Sequence, residues 1–372
     1  MSVKSVRTLV PAVAVVAIGS VVGISPASAA SSGDTLAAGG TVVGHVYETT
    51  NAAAGNAIQV FDRLRDGRLR AGVTVATGGR GLGASLASQG GLVRDGNLLF
   101  AVNAGDDTVS TLAITDHGLV RRDVASSGGS RPVSITVRRG VVYVLNQGSE
   151  TISGLRVSRG GRLQALPNST RSLSKSSTGA TAAAEVAFSP DGRTLVVTHK
   201  GDRTIDTFAV IGDYAHRAVA HRSSGTTPYG FAFDRRGHAI VSEADASAVS
   251  SYIARGDRLR TITPSLSDHQ AAACWLVVTD NGHYAYTVNA ASASISSYRI
   301  DSGGRLRLVA SVAATTSGGG TDAALSADND ELYVRLANGS VASYAVGRDG
   351  SLTTQQDTKG AAAVGAAGLA TD

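Results

Sequence analysis

Residues 185–210 read EVAFSPDGRTLVVTHKGDRTIDTFAV, and the parsing of this stretch decides the fold. EVAF is a strand, and Ser189-Pro190-Asp191-Gly192 is a tight turn with Pro and Gly where a reversal wants them. LVVT is a second strand, a Gly-containing loop follows at His199–Arg203, and TIDTFAV is a third strand. A unit of about 25 residues made of strand and turn cannot cover both its faces alone, so it needs neighbours like itself.

Those neighbours run the length of the chain. Aligned on the second strand and its loop, they read HVYETTNAAAGNAIQVFDR from His45, LFAVNAGDDTVSTLAI from Leu99 and VYVLNQGSETISGLRV from Val142. LVVTHKGDRTIDTFAV follows from Leu195, AIVSEADASAVSSYIA from Ala239, AYTVNAASASISSYRI from Ala285 and LYVRLANGSVASYAV from Leu332. With Tyr47, Phe100, Tyr143, Val196, Ile240, Tyr286 and Tyr333 equivalent, the successive spacings are 53, 43, 53, 44, 46 and 47 residues. A period in this range, in strands alone, marks a β-propeller. Gly/Asn/Asp tips such as Arg94-Asp95-Gly96, Arg138-Arg139-Gly140, Arg235-Arg236-Gly237 and Asp280-Asn281-Gly282 join the first two strands of each unit. Four strands in each of seven units predict an all-β, seven-bladed ring of about 28 strands.

The first copy lacks an innermost strand. At the other end of the chain, VGAAGLA (364–370) resembles the innermost strands PYGFAF (228–233) and TDAALS (321–326). It is expected to complete the first blade and close the ring, because an open ring leaves a strand edge unpaired. Small residues such as Ala182-Ala183-Ala184 and Ala323-Ala324 suit the crowded axis, and second strands such as Leu195-Val196-Val197 are apolar at both parities.

Residues 1–30 read as a secretory signal peptide: Lys4 and Arg7, then an apolar run from Leu9 to Ile24, then Ala27-Ser28-Ala29. A flexible stretch (31–40) and a single propeller domain (41–372) are expected to follow, secreted as a monomer. The mature chain would carry 32 basic and 29 acidic residues, with no basic block and no arginine cluster in the sequence suited to phosphate. Nothing in that balance asks for a nucleic-acid partner, so none is expected, and no stretch beyond the leader is apolar for long enough to cross a bilayer. Cys274 is the sole cysteine, so there is no intrachain disulfide. No haem motif, spaced calcium loop or paired-histidine metal site is present, and no cofactor is expected.

A propeller's ligand sites favour the mouth of its channel. Polar residues that start an innermost strand are Arg131, Glu185, Tyr229, Gln270 and Asp322. Those that end a second strand are Asn103, Asn146, His199, Lys200, Glu243 and Asn289. Glu185 stands among alanines, where burial would raise its pKa and make it a general acid or base, with His199 or Lys200 as partner. In the plainer reading Glu185 is a solvated rim residue, and His199 replaces Asn at a position that forms local hydrogen bonds. Arg131, Tyr229, Glu243, Gln270 and Asp322 are the candidates for binding a ligand.

The FSPDGRTLVVTHKGDRTIDTFAV and AYTVNAASASISSYRID runs resemble the seven-bladed lactonase-like propellers over about Val43 to Ala370. That family spans 6-phosphogluconolactonase-type enzymes, carboxymuconate-lactonising enzymes and YVTN-repeat surface-layer proteins. The resemblance implies His, Arg and Glu around the channel, with His before the SPDG turn. The matching segment, Thr181 to Glu185, carries the Glu alone. Two functions follow as expectations. One is a secreted, non-catalytic module that binds a small molecule, glycan or protein at the channel mouth. The other is an extracellular lactone hydrolase or cyclase using Glu185, which needs a His or cationic partner within hydrogen-bond reach.

Overall fold

The computed structural model describes residues 40–360, 365 and 368–372. The expected leader and residues 31–39 after it lie outside the described residues, as do Val364, Ala366 and Ala367 of the proposed closing strand. The rest is a ring of seven antiparallel sheets, each ordered from the axis outward as innermost, second, third and outer strand. The described strands number 30 and not 28, because two outer strands are split. In blade 3 the pieces are Leu163–Ala165 and Arg171–Ser172, separated by Pro167, which cannot donate to a ladder, and by Asn168 at φ 57°. In blade 4 they are Tyr214–Ala215 and Val219–Arg222.

The first blade is closed from the far end of the chain. Leu369–Thr371 pairs with Val42–Thr49 in the register Val46↔Thr371, Tyr47↔Ala370 and Glu48↔Leu369. A seam core of Val46, Phe61, Leu69, Tyr333, Val341 and Leu369 then joins the first blade to the last. Elsewhere the core is likewise laid between blades, as where Phe100, Tyr143 and Phe208 meet in one cluster. Six of the seven second strands are buried at every residue, among them Leu98–Asn103 and Thr194–His199. A sheet covered on both faces has no reason to alternate in polarity. Outer strands such as Leu69–Ala76 are largely exposed.

The hairpin tips between innermost and second strands gather at one end of the ring, here called the turn face. The ends of the second strands, with His199 and Lys200, point to the opposite, loop face.

Candidate functional site

Each innermost strand turns a free edge to the axis, where main-chain N–H groups have no neighbouring strand and need another acceptor. At one level of the ring they are capped blade after blade. Ile135 N–H donates to the Gly90 carbonyl at 2.8 Å and Val186 N–H to Ser134 Oγ at 3.2 Å. Phe231 N–H donates to Glu185 Oε2 at 2.6 Å, and Leu276 N–H to Gln89 Oε1 at 2.9 Å. Leu369 N–H donates to Asp322 Oδ2 at 3.0 Å. Ser134, Glu185 and Asp322 hold equivalent places, one residue before the capped position of their own blade and facing the N–H of the next.

In blade 5 that place is Gly230, which has no side chain to offer. A Cβ there would run into Gln89 Oε1. The glycine makes room for a plug, and the plug supplies the missing acceptor. The plug is Ala87–Gly90, which leads into the shortened innermost strand Leu92–Asp95 of blade 2. Ala87 and Gly90 turn it with φ of 47° and 77°. Ser88 Oγ donates to the Val133 carbonyl at 2.8 Å, and Trp275 Nε1 donates to the Ser88 carbonyl at 2.9 Å. Gln89 N–H reaches the Ala184 carbonyl at 3.2 Å, and its Nε2 the Leu276 carbonyl at 2.9 Å. The carboxamide thus pairs both main-chain groups of Leu276, as another strand would.

On the turn side of the plug lies an open cavity of about 560 Å³. Phe188, Phe231, Phe233 and Leu276 line it with Gln89 and Glu185, and Arg94 and Asp280 stand among its polar residues. Burial pushes the Glu185 carboxyl well above the usual carboxyl range, against the opposing bond from Phe231 N–H, and nearby Asp322 adds to the rise. Asp322, also buried, is raised to about 7 although Ala323 and Leu369 N–H donate to it.

On the loop side, Lys200 Nζ donates to the Ala87 carbonyl and sits 4.8 Å above the ring of Tyr229. Tyr229 in turn packs edge-on against Trp275 at 5.2 Å. Burial pulls the Lys200 ammonium down to about 8, with the Cys274 thiol opposing and Arg131 assisting. Burial also lifts Cys274 to about 12.

The expected partnership of Glu185 with His199 does not form. His199 is fully buried and faces Asp206 Oδ2 at 3.2 Å and Asp202 Oδ1 at 3.7 Å. Its position explains this, because the last residue of a second strand meets the residue seven further on, in the third strand. Asn103 meets Ser110, Asn146 meets Ser153, and Asn289 meets Ser296, each at 2.8 Å. Glu243 meets Ser250 at 2.7 Å and also takes Gly225 N–H at 2.7 Å. His199 and Asp206 occupy the same two positions in blade 4.

The remaining candidates are dispersed. Gln270 is tied to Ser311 Oγ at 2.8 Å and Ser294 Oγ at 3.0 Å in blade 6. Arg131 is exposed, with φ 53° and its N–H on Asp107 Oδ1 at 2.6 Å. No hydrogen bond or ion pair among the described residues links Glu185 to Lys200 or Arg131. Sequence reasoning missed Gln89. Its signal was the 53-residue spacing from Tyr47 to Phe100, which holds more chain than a plain blade needs.

Comparison with known proteins agrees with this architecture. The family profile described as "Lactonase, 7-bladed beta-propeller" matches residues 46–274 and 259–367. A 6-phosphogluconolactonase of Yersinia pestis is 24% identical over 135 residues, 36% of this chain and 40% of its own length. The chain thus spans about two fifths of the length of the curated relatives it matches. Among solved structures, a Lactobacillus plantarum protein superposes with a TM-score of 0.73 at 16% identity, covering 89% of this chain and 100% of its own. The periplasmic gluconolactonase of Pseudomonas aeruginosa gives 0.67 at 17% identity, covering 88% and 98%.

Proposed function

The chain belongs to the lactonase family of seven-bladed β-propellers, and from that premise we propose that it is a secreted, non-catalytic module that holds a small molecule in the axial cavity. One observation carries the reading. Glu185, the acid in the cavity wall, is engaged with Phe231 N–H at 2.6 Å and has no histidine or cation bonded to it among the described residues. A carboxyl used as a main-chain cap, like the Ser134 hydroxyl one blade earlier, is a poor proton shuttle. Phenylalanine walls beside a carboxamide and a carboxyl suit a ligand with one apolar face and a few hydrogen-bonding groups. The test is acid release from a panel of sugar and aryl lactones, run beside calorimetric binding of the same compounds. Saturable binding without turnover is expected. Turnover that vanishes in Glu185→Ala while the melting temperature holds would overturn the proposal. Secretion rests on the leader at 1–30, and N-terminal sequencing of extracellular protein, expected to begin at Ala30 or Ser31, checks it.

One observation favours hydrolysis instead. Lys200, held down to about 8, is partly neutral in mildly alkaline solution and open to use as a general base toward water at the loop face. In the same assay, turnover that rises as pH climbs through about 8 and is lost in Lys200→Met would select this reading.

A further inference from the structure

The turn face carries a feature that the axial cavity does not use. Between blades 3 and 4 lies a cavity of about 540 Å³, where Arg138, Arg139 and Arg193 surround Val141, Phe188 and Val210. A second, of about 660 Å³, opens between blades 4 and 5, where Arg193 is joined by Arg235, Arg236 and Arg255. Asp191, Arg193 and Val210 line both, so the two adjoin.

Five of these six arginines sit at the hairpin tips of three consecutive blades: Arg138-Arg139-Gly140, Asp191-Gly192-Arg193 and Arg235-Arg236-Gly237. The corresponding tips of blades 6 and 7, Asp280-Asn281-Gly282 and Asp328-Asn329-Asp330, are acidic. The blade 2 tip, Arg94-Asp95-Gly96, sets an aspartate beside its arginine, so among these innermost-to-second tips the excess of arginine falls on the arc of blades 3 to 5. Stacking of consecutive blades assembles a cluster that is invisible along the sequence, where the arginines are more than 40 residues apart from blade to blade.

The carboxylates within the arc are already engaged, although Asp191 also feels the charges of Arg193 and Arg138 and offsets part of them. Asp191 accepts from Ser189 Oγ at 2.6 Å and from Arg193 N–H at 3.0 Å, and Asp213 is paired with Arg156. Of the six arginines, Arg235 alone is in an ion pair among the described residues, with Asp280 at 3.0 Å. Arg138 lies across the turn glycine, its Nε 2.5 Å from where a Cβ on Gly192 would be. That Nε is buried with no hydrogen-bond partner.

Guanidinium groups bind phosphate through paired N–H donors, and an apolar floor keeps water from competing. One phosphate cannot engage arginines spread over two adjoining cavities, whereas a chain of phosphates can. We propose that the arginine-lined depression across blades 3 to 5 binds a linear anion of repeating phosphate groups.

The experiment is calorimetric titration of the full chain with short-chain inorganic polyphosphate, poly(glycerol phosphate) and inorganic monophosphate, at low and moderate salt. Both polymers, or one of them, should bind more tightly per phosphate than monophosphate, and the tighter polymer identifies the source. Arg193→Glu with Arg236→Glu should weaken binding by roughly tenfold or more for each charge-assisted hydrogen bond removed. It should also flatten the salt dependence, as fewer counterions are released. Arg299→Glu with Arg307→Glu, exposed on blade 6, makes the same change in net charge and should leave affinity within about twofold of the parent. Absence of polymer binding at low salt overturns the proposal, and so does equal weakening by the blade 6 pair. Melting curves confirm folding, and Arg193→Gln with Arg236→Gln gives the same comparison if the reversals perturb it.

Discussion

A hydroxyl at Ser134, a carboxyl at Glu185 and a carboxyl at Asp322 perform one task, each capping the axial N–H of the following blade. The acid at 185 thus has a structural role that its chemical type does not advertise, and its titration tests that role. Burial raises the Glu185 pKa well above its ordinary value of 4.5, so the folded chain holds this proton more tightly than the unfolded one. Stability therefore falls as pH rises from 4.5 toward the folded value. Glu185→Gln keeps an acceptor for Phe231 N–H and cannot ionise, so its melting temperature should lose less than that of the parent between about pH 5 and 8. Parallel melting profiles would refute the raised pKa of the buried cap. His199 makes the complementary case. Burial works to raise Asp206, but hydrogen bonds from His199 and Ser174 hold its carboxyl below the usual range. His199→Asn takes away the ring that faces Asp206 and should cost about 1–3 kcal/mol by leaving that buried carboxylate short of a partner. Adding Asp206→Ser rebuilds the Asn–Ser pair seen at Asn103–Ser110 and should recover part of the loss in denaturant titrations, though Ser174 loses its acceptor.

At the scale of elements, the plug departs most from sevenfold repetition. Ala87–Gly90 gives up strand pairing in blade 2 to satisfy free edges in blades 3 to 6. Gln89→Ala removes both partners of Leu276 and should cost about 1–3 kcal/mol. Hydrogen exchange at the Leu276 amide should accelerate by at least about tenfold while the fully buried second strands stay protected. Unchanged exchange at Leu276 would mean that water replaces the carboxamide without loss. The elements differ in how openly the sequence announces them. Strands and hairpins are legible because SPDG, DNG and RRG tips recur at fixed offsets from apolar runs, and local chemistry fixes local form. The plug is not, because nothing in Leu86-Ala87-Ser88-Gln89 records that Gly230, some 140 residues on, leaves room for it. Glu185 and His199 were legible as unusual residues but not in their roles, since a cap and a catalyst call for the same side chain. The arginine arc was hidden for a similar reason: its members become neighbours when the blades are set side by side.

For the whole molecule, the decisive seam is the one where the C-terminal strand closes the first blade, which in turn packs on the last. Asp372 fastens it, accepting from Tyr47 Oη at 2.6 Å and from His45 Nδ1 at 3.0 Å. The hydrogen bond to Asp372 raises the His45 pKa above 6.5, so this contribution is complete below 6.5 and fades as pH rises through the folded value. Burial works to raise Asp372, but His45 and Tyr47 hold it below 3.8, so its share is lost in acid. The drop in melting temperature caused by Asp372→Asn should accordingly be widest near about pH 5–6 and smaller at either extreme. Deep in the same seam, Arg335 Nε bonds Glu48 Oε1 at 2.7 Å, tying the first blade to the last. Truncation after Gly360 removes Leu369–Thr371 and Asp372 together and should destabilise every blade, and melting like the full-length protein would refute closure. This seam also sets a timetable. Val46 must wait for Thr371, so a chain emerging from the ribosome can build blades 2 to 6 while its first strand stands with a bare inner edge. That edge finds its partner only once residues 369–371 have emerged, and the long loop it closes makes this the slow, exposed moment of folding.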